Sequence, residues 1–303
     1  MIDTAKAVRN AWQAGLVVPA FNIPYLPMVE PIVRAIMDTD CFALVAVARI
    51  EWTKLQAQGL QPVYETFKTY EKPTFVRLHL DHVPVIDEDN QHVDYLTILR
   101  DAVRIGYQSV MVDGSRLSLA KNIAATRRAA EIAHGAGVPL EAELGAVFGH
   151  EAGPMPPYEE LFASGKGFTD PDEAARFVRE SGCDWLSVAF GSFHGAVSGA
   201  AKDKKKLAAR LNIDHLKRLR DAAGIPLVLH GGSGVQRSFV QEAIKNGIAK
   251  VNVGADVRLA YEQSMAEFKS VPIAQEAVYE RTCEILRDDF LLQGTRKKVT
   301  SAA

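Results

Sequence analysis

Eight short apolar runs, each followed by a longer amphipathic segment, restrict the fold of this chain more than any other feature of it. They are Leu16 to Phe21, Phe42 to Val47, Thr74 to Leu80, Ser109 to Val112, Val138 to Leu144, Trp185 to Ala189, Leu227 to Leu229 and Lys250 to Val253. Such runs suit parallel strands covered on both faces, and the amphipathic segments suit the crossovers between them. Helices are predicted at Met28 to Asp38, Trp52 to Tyr70 with a break near Pro62, His92 to Ile105, Ser118 to His134, Asp170 to Ser181, Asp214 to Ala223, Gln236 to Asn246 and Asp256 to Phe268. Asp170-Pro171-Asp172-Glu173 marks one start with a cap, a first-turn proline and an acid. The alternation predicts an α/β fold, a closed (β/α)8 TIM barrel, with extra C-terminal helices from about Ile273 to Leu292. At 303 residues the length suits one such barrel domain over 1–303, and 48% hydrophobic residues can fill its core.

Barrels of this kind carry their reactive groups at the carboxyl ends of the strands. Those ends read Asn22, Ala48 with Arg49, Asp81 with His82, Asp113, Glu143, His194, His230 and Asn252. Asp, Asn and Gly often do no more there than end a strand and start a turn. Any one strand-end histidine is ordinarily a hydrogen-bonded structural residue. His82, His194 and His230 together are harder to explain in that way, because three imidazoles from separate strands can form an open divalent-metal site. After His230 comes Gly231-Gly232-Ser233-Gly234, whose backbone N–H groups are suited to holding an anion.

Composition narrows the class of partner. A formal net charge of −2 with interspersed acids and bases gives no reason to expect nucleic acid or an anionic membrane, so the expected ligand is a small molecule. Cys41, Cys183 and Cys283 are too few and too scattered for a disulfide framework or a cysteine metal site. That usage, and an N-terminus without a basic start followed by an apolar core, predict a cytoplasmic protein.

Two connections are longer than the others. Gly145 to Thr169 holds His150, Glu151 and Pro154, Pro156 and Pro157, as a mobile active-site loop would. Gly195 to Leu211 holds the Lys202 to Lys206 charge run, which reads as a solvated loop with anion binding as the minority reading.

Several motifs in this order resemble those of the class II, metal-dependent ketose-bisphosphate aldolases, the fructose- and tagatose-bisphosphate type. They are Val18-Pro19-Ala20-Phe21-Asn22, Leu78-His79-Leu80-Asp81-His82, Ser109 to Ser115, Glu141-Ala142-Glu143-Leu144-Gly145, Phe190-Gly191-Ser192-Phe193-His194-Gly195, Leu229 to Gly234 and Lys250-Val251-Asn252-Val253. The resemblance implies an aldehyde-lyase in which His82, His194 and His230 hold zinc or another divalent cation. Asp113 and Glu143 then lie near the metal, where a second or monovalent cation is also a candidate. By the same resemblance Asp81 exchanges a proton with the aldehyde oxygen and Glu151 takes one from the donor ketone. Asn22 and Asn252 orient the substrate, Gly195, Gly231 and Ser233 serve the donor phosphate, and the assembly is a homodimer or homotetramer. The chemistry needs such a set, because breaking a carbon–carbon bond beside a carbonyl requires a stabilised enediolate, which a divalent metal can provide.

Three positions depart from the family pattern. Ala48 and Ala255 stand where the family usually has a serine and a threonine for the donor phosphate, and Ala152 follows Glu151 where an aspartate is common. Two lost hydroxyl donors, at about 1.5 to 3 kcal/mol each toward a charged partner, could weaken phosphate binding by roughly two to four orders of magnitude. Arg49, directly after Ala48, is the candidate replacement, offering a guanidinium to an anionic group of different kind or position, the alternative being an arginine that points outward to solvent. Two other readings stay open: an isomerase or epimerase using the same enediolate, and a non-catalytic barrel subunit.

Overall fold

The computed structural model describes residues 3–145, 158–192, 210–232 and 235–301, and within them the strands close into a barrel. In chain order they are β1 (Val18–Asn22), β2 (Ala43–Ala48), β3 (Val76–Pro84), β4 (Ser109–Asp113), β5 (Leu140–Leu144), β6 (Trp185–Val188), β7 (Leu227–Leu229) and β8 (Ile248–Val253). Each pairs in parallel with the next, and β8 pairs with β1, Ala20 standing opposite Asn252. The described helices are α1 (Thr4–Gln13), α2 (Val29–Asp38), α3 (Arg49–Thr53), α4 (Leu60–Tyr70), α5 (Tyr95–Ile105), α6 (Leu119–Gly135), α7 (Tyr158–Ser164), α8 (Pro171–Ser181), α9 (Ile213–Ala223), α10 (Arg237–Lys245), α11 (Ala255–Phe268), α12 (Val271–Glu284) and α13 (Arg296–Thr300). None of them is long and apolar enough to cross a membrane.

The period of two along each strand separates two cores. Phe21, Val45, Leu78, Val110, Ala142, Leu186, Leu229 and Val251 belong to the large cluster that joins the sheet to its helices. Fully burying one such aliphatic side chain contributes about 1.5–3 kcal/mol. Val18, Ala20, Phe42, Leu44, Ala46, Trp185 and Val228 form a second cluster, closed from the N-terminal end by Ala7, Val8 and Ala11 of α1 and Val299 of α13. Nearer the carboxyl ends the inward positions turn polar, and the candidate site lies there.

Local chemistry accounts for the main boundaries. Asp170 caps α8, its carboxylate accepting from the backbone N–H groups of Asp172 and Glu173. The predicted helix from Trp52 to Tyr70 is instead two, α3 and α4. Pro62 does not break α4 but lies in its first turn, where no intrahelical N–H is needed. Sequence reasoning also overlooked α1, although Asp3 caps it by accepting from the N–H groups of Ala5 and Lys6. The third strand runs four residues beyond its predicted end at Leu80, to Pro84.

Candidate metal centre

The extra length of β3 carries the centre. Strict alternation would send Asp81 and His82 to opposite faces of the sheet. Here the register against β4 shifts between Leu80 and Val83, and His82 has φ +32°. This bulge lets both side chains reach the mouth, at a backbone cost on the order of 1–3 kcal/mol. Asp81 is buried; its Oδ2 accepts from Asn22 Nδ2 at 2.9 Å and its Oδ1 from Asn252 Nδ2 at 2.8 Å. Burial alone would raise its pKa, but His82 foremost, then His79 and Lys250, hold it well below the usual carboxylate range.

His230 follows β7 directly and is fully buried. Its Nε2 lies 2.8 Å from Glu141 Oε1, so that nitrogen carries the proton and donates. Its Nδ1 then offers a lone pair, 2.6 Å from His82 Nε2, with the two rings edge to face. The other nitrogen of His82, Nδ1, is 3.4 Å from Asp113 Oδ2 and 3.6 Å from Glu143 Oε2. Burial disfavours the imidazolium of His82, but Asp81, Asp113 and Glu143 outweigh it and raise its pKa to about 10. Glu143 is pushed the other way, its pKa well above normal through burial and then the neighbouring charge of Asp113.

These groups fit a divalent cation. Asp81, His82 and His230 offer ligand atoms within 4.8 Å of one another, and so do His82, Asp113 and Glu143. Glu143 Oε2 is buried without a hydrogen-bond partner, a costly arrangement that a cation would relieve. Mixed imidazole and carboxylate donors are the set that zinc and its neighbours accept.

Comparison with known proteins is decisive for the family. The model of the class-II fructose-bisphosphate aldolases matches residues 2–296. The chain belongs to that family. It is therefore a metal-dependent aldolase, a carbon–carbon lyase. Among solved structures it is similar to the YdjI aldolase from Escherichia coli K12, with 25% identity, a TM-score of 0.78, and 97% of this chain and 99% of that one covered. A putative fructose-1,6-biphosphate aldolase from Coccidioides immitis shares the fold at 24% identity and TM-score 0.76, over 97% and 98% of the two chains. The fructose-bisphosphate aldolase of Campylobacter jejuni shares it at 18% identity and TM-score 0.73, over 95% and 94%.

Sequence reasoning missed the layer beneath the aldolase's centre. Glu141, His79 and Lys250 are fully buried inside the barrel. Glu141 Oε2 lies 2.8 Å from Lys250 Nζ, and His79 Nδ1 lies 2.9 Å from Ser109 Oγ. Burial would raise the pKa of Glu141, but Lys250 and then His230 bring it to about 2. The signal was available, since 79 and 81, 141 and 143, and 250 and 252 are inward neighbours at a spacing of two.

Of the other predicted residues, Asn22 and Asn252 meet at Asp81, as above, and Gly231 follows His230 with φ +67°, a turn favoured by glycine. Arg49 opens α3, and its Nη1 is 3.4 Å from Asp87 Oδ2. Ala48 is buried, and its N–H donates to Glu51 Oε2 at 2.8 Å. Burial raises the pKa of Glu51 to about 8, its bond from Ala48 notwithstanding. His194, Gly195, Glu151 and Ser233 lie outside the described residues, as does the Lys202 to Lys206 run.

Proposed function

We propose that this aldolase cleaves and forms a carbon–carbon bond in a ketose-like, phosphorylated substrate, with zinc as the cation and His82, His194 and His230 as its ligands. The observation that carries the reading is the convergence of His82 Nε2 and His230 Nδ1 beside the orphaned Glu143 Oε2. Asp113 and Glu143 complete the charge balance and offer a second, monovalent or divalent, cation position. When bound, the divalent cation polarises the ketone oxygen of the donor.

The chain's own residues do the rest. Asp81 at rest is a carboxylate held by two amides, so in the cleavage direction it takes the proton of the hydroxyl that becomes the aldehyde oxygen, and in synthesis it returns it. Glu151 removes the donor's α-proton in synthesis. Asn22 and Asn252 orient the substrate; Gly195, Gly231 and Ser233 bind its phosphate.

Ala48 and Ala255 lack the family's hydroxyls, so the donor is not simple dihydroxyacetone phosphate bound in the usual manner. Among the described residues only Nη1 of Arg49 contacts Asp87, which leaves guanidinium donors for an anionic group of the substrate. We place the enzyme in the cytoplasm, as a single barrel domain assembled into a homodimer or homotetramer, with neither nucleic acid nor membrane as partner.

Incubation with a panel of ketose mono- and bisphosphates, with the released aldehyde trapped, tests the reading. Stoichiometric aldehyde is expected. Rearranged ketose without aldehyde would make the protein an isomerase or epimerase, and efficient cleavage of fructose or tagatose bisphosphate unaffected by Arg49→Ala would overturn the assignment of Arg49.

A further inference from the structure

A chain of buried contacts joins the two halves of the centre from below. His230 Nε2 donates to Glu141 Oε1 at 2.8 Å, and Glu141 Oε2 pairs with Lys250 Nζ at 2.8 Å. The same Nζ donates to Asn252 Oδ1, and Asn252 Nδ2 donates to Asp81 Oδ1 at 2.8 Å. A lysine ammonium has donors and no acceptor, so its charge holds Glu141 as an accepting carboxylate and its bond to Asn252 can run in one direction only. Facing Lys250, Asn252 must present its oxygen, which turns its NH2 toward Asp81. The reversed amide would set a carbonyl oxygen against the carboxylate. Held by Lys250, the Glu141 carboxylate accepts from His230 Nε2 and so leaves Nδ1 unprotonated toward His82.

An ion pair buried without exposure is a poor source of stability, since apolar residues of like volume generally serve as well. The interior of this same barrel has that alternative a layer below, at Leu44, Ala46 and Val228. A role in stability therefore does not explain the pair.

We propose that Lys250 is a positioning residue that, through Glu141, sets the His230 tautomer presented to the cation and, through Asn252, sets the amide that orients Asp81. The inference rests on the metal assignment of the preceding subsection. Outer-shell partners of this kind alter metal affinity or activity by about 10–100-fold when removed.

Zinc dissociation constants from chelator competition on folded, purified proteins, with kcat and KM on the same samples, test it. Lys250→Met should weaken zinc by about 10–100-fold and lower kcat by a similar factor. Lys250→Gln, which keeps a donor toward Glu141 and Asn252, should recover part of both losses, and it carries the test if the methionine variant does not fold. Glu141→Gln combined with Lys250→Met should bind zinc no more weakly than the worse single variant, because both act through one chain. Zinc affinity within twofold of wild type in folded Lys250→Met, or no difference between the Met and Gln variants, overturns the proposal. A wild-type protein that binds no zinc would instead refute the metal assignment itself, so the two failures are distinguishable.

Discussion

His82 Nε2 and His230 Nδ1 lie 2.6 Å apart, and each ring is fixed from behind by acid: His82 Nδ1 by Asp113, His230 Nε2 by Glu141. In the metal-free protein this is a hydrogen bond, with protonated His82 donating to the lone pair of neutral His230. A cation entering the gap must displace that proton.

Metal binding should accordingly release protons and weaken in acid. The pKa of His82 is raised to about 10, so this ring is protonated near neutrality without metal, and burial and then the charge of Asp113 push that of Glu143 well above normal. The bound state requires His82 deprotonated, and Glu143 too if it becomes a ligand. Affinity should then rise about tenfold per pH unit for each proton displaced across neutral pH. Calorimetry in buffers of different ionisation enthalpy checks this; zinc binding without proton release would contradict the tautomers assigned here.

Asp81→Asn separates proton transfer from ligation. The amide keeps the shape and one acceptor, so zinc content should stay close to one per chain while kcat falls by about 10²–10⁴, the usual contribution of a general acid or base. Loss of the metal in this variant would make Asp81 a ligand instead.

Glu51 provides a pH dependence of stability. Its folded pKa is about 8, above the ordinary 4.5 because of burial. Between those values the folded state holds a proton that the unfolded chain has lost, so this group's contribution falls as pH rises from 4.5 toward 8. Each tenfold change in proton affinity corresponds to about 1.4 kcal/mol. Glu51→Gln cannot ionise and keeps an acceptor for Ala48 N–H, so it should lose less stability than wild type between about pH 5 and about pH 8. Urea denaturation at both pH values measures the difference; parallel losses would refute the assignment.

The barrel and much of its mouth were legible because strand ends were enough to find them. Asn22, Asp81, His82, Asp113, Glu143, His230 and Asn252 all stand at or near the carboxyl ends of their strands. The bulge was not legible, since no residue type in Leu80-Asp81-His82-Val83 requires the left-handed backbone that His82 adopts. Glu141 and Lys250 were passed over for another reason. A charged residue inside a strand looks like a solvent-facing position, but in a closed barrel the inward face is buried as well, and the spacing of two from Glu143 and Asn252 was the sign of it. The contact of Arg49 with Asp87 joins two separate connections, and no local pattern could have announced it.

The proposed role of His82 and His230 is to hold the metal on which cleavage depends. It is tested most directly by stripping the protein with chelator, titrating zinc back and following trapped aldehyde from a cleavable ketose phosphate, with His82→Ala and His230→Ala alongside. Activity should vanish on stripping, return in proportion to zinc and saturate near one ion per chain, while both variants should bind little zinc and stay inactive. Undiminished cleavage after stripping, or near-stoichiometric zinc in both variants, would contradict it.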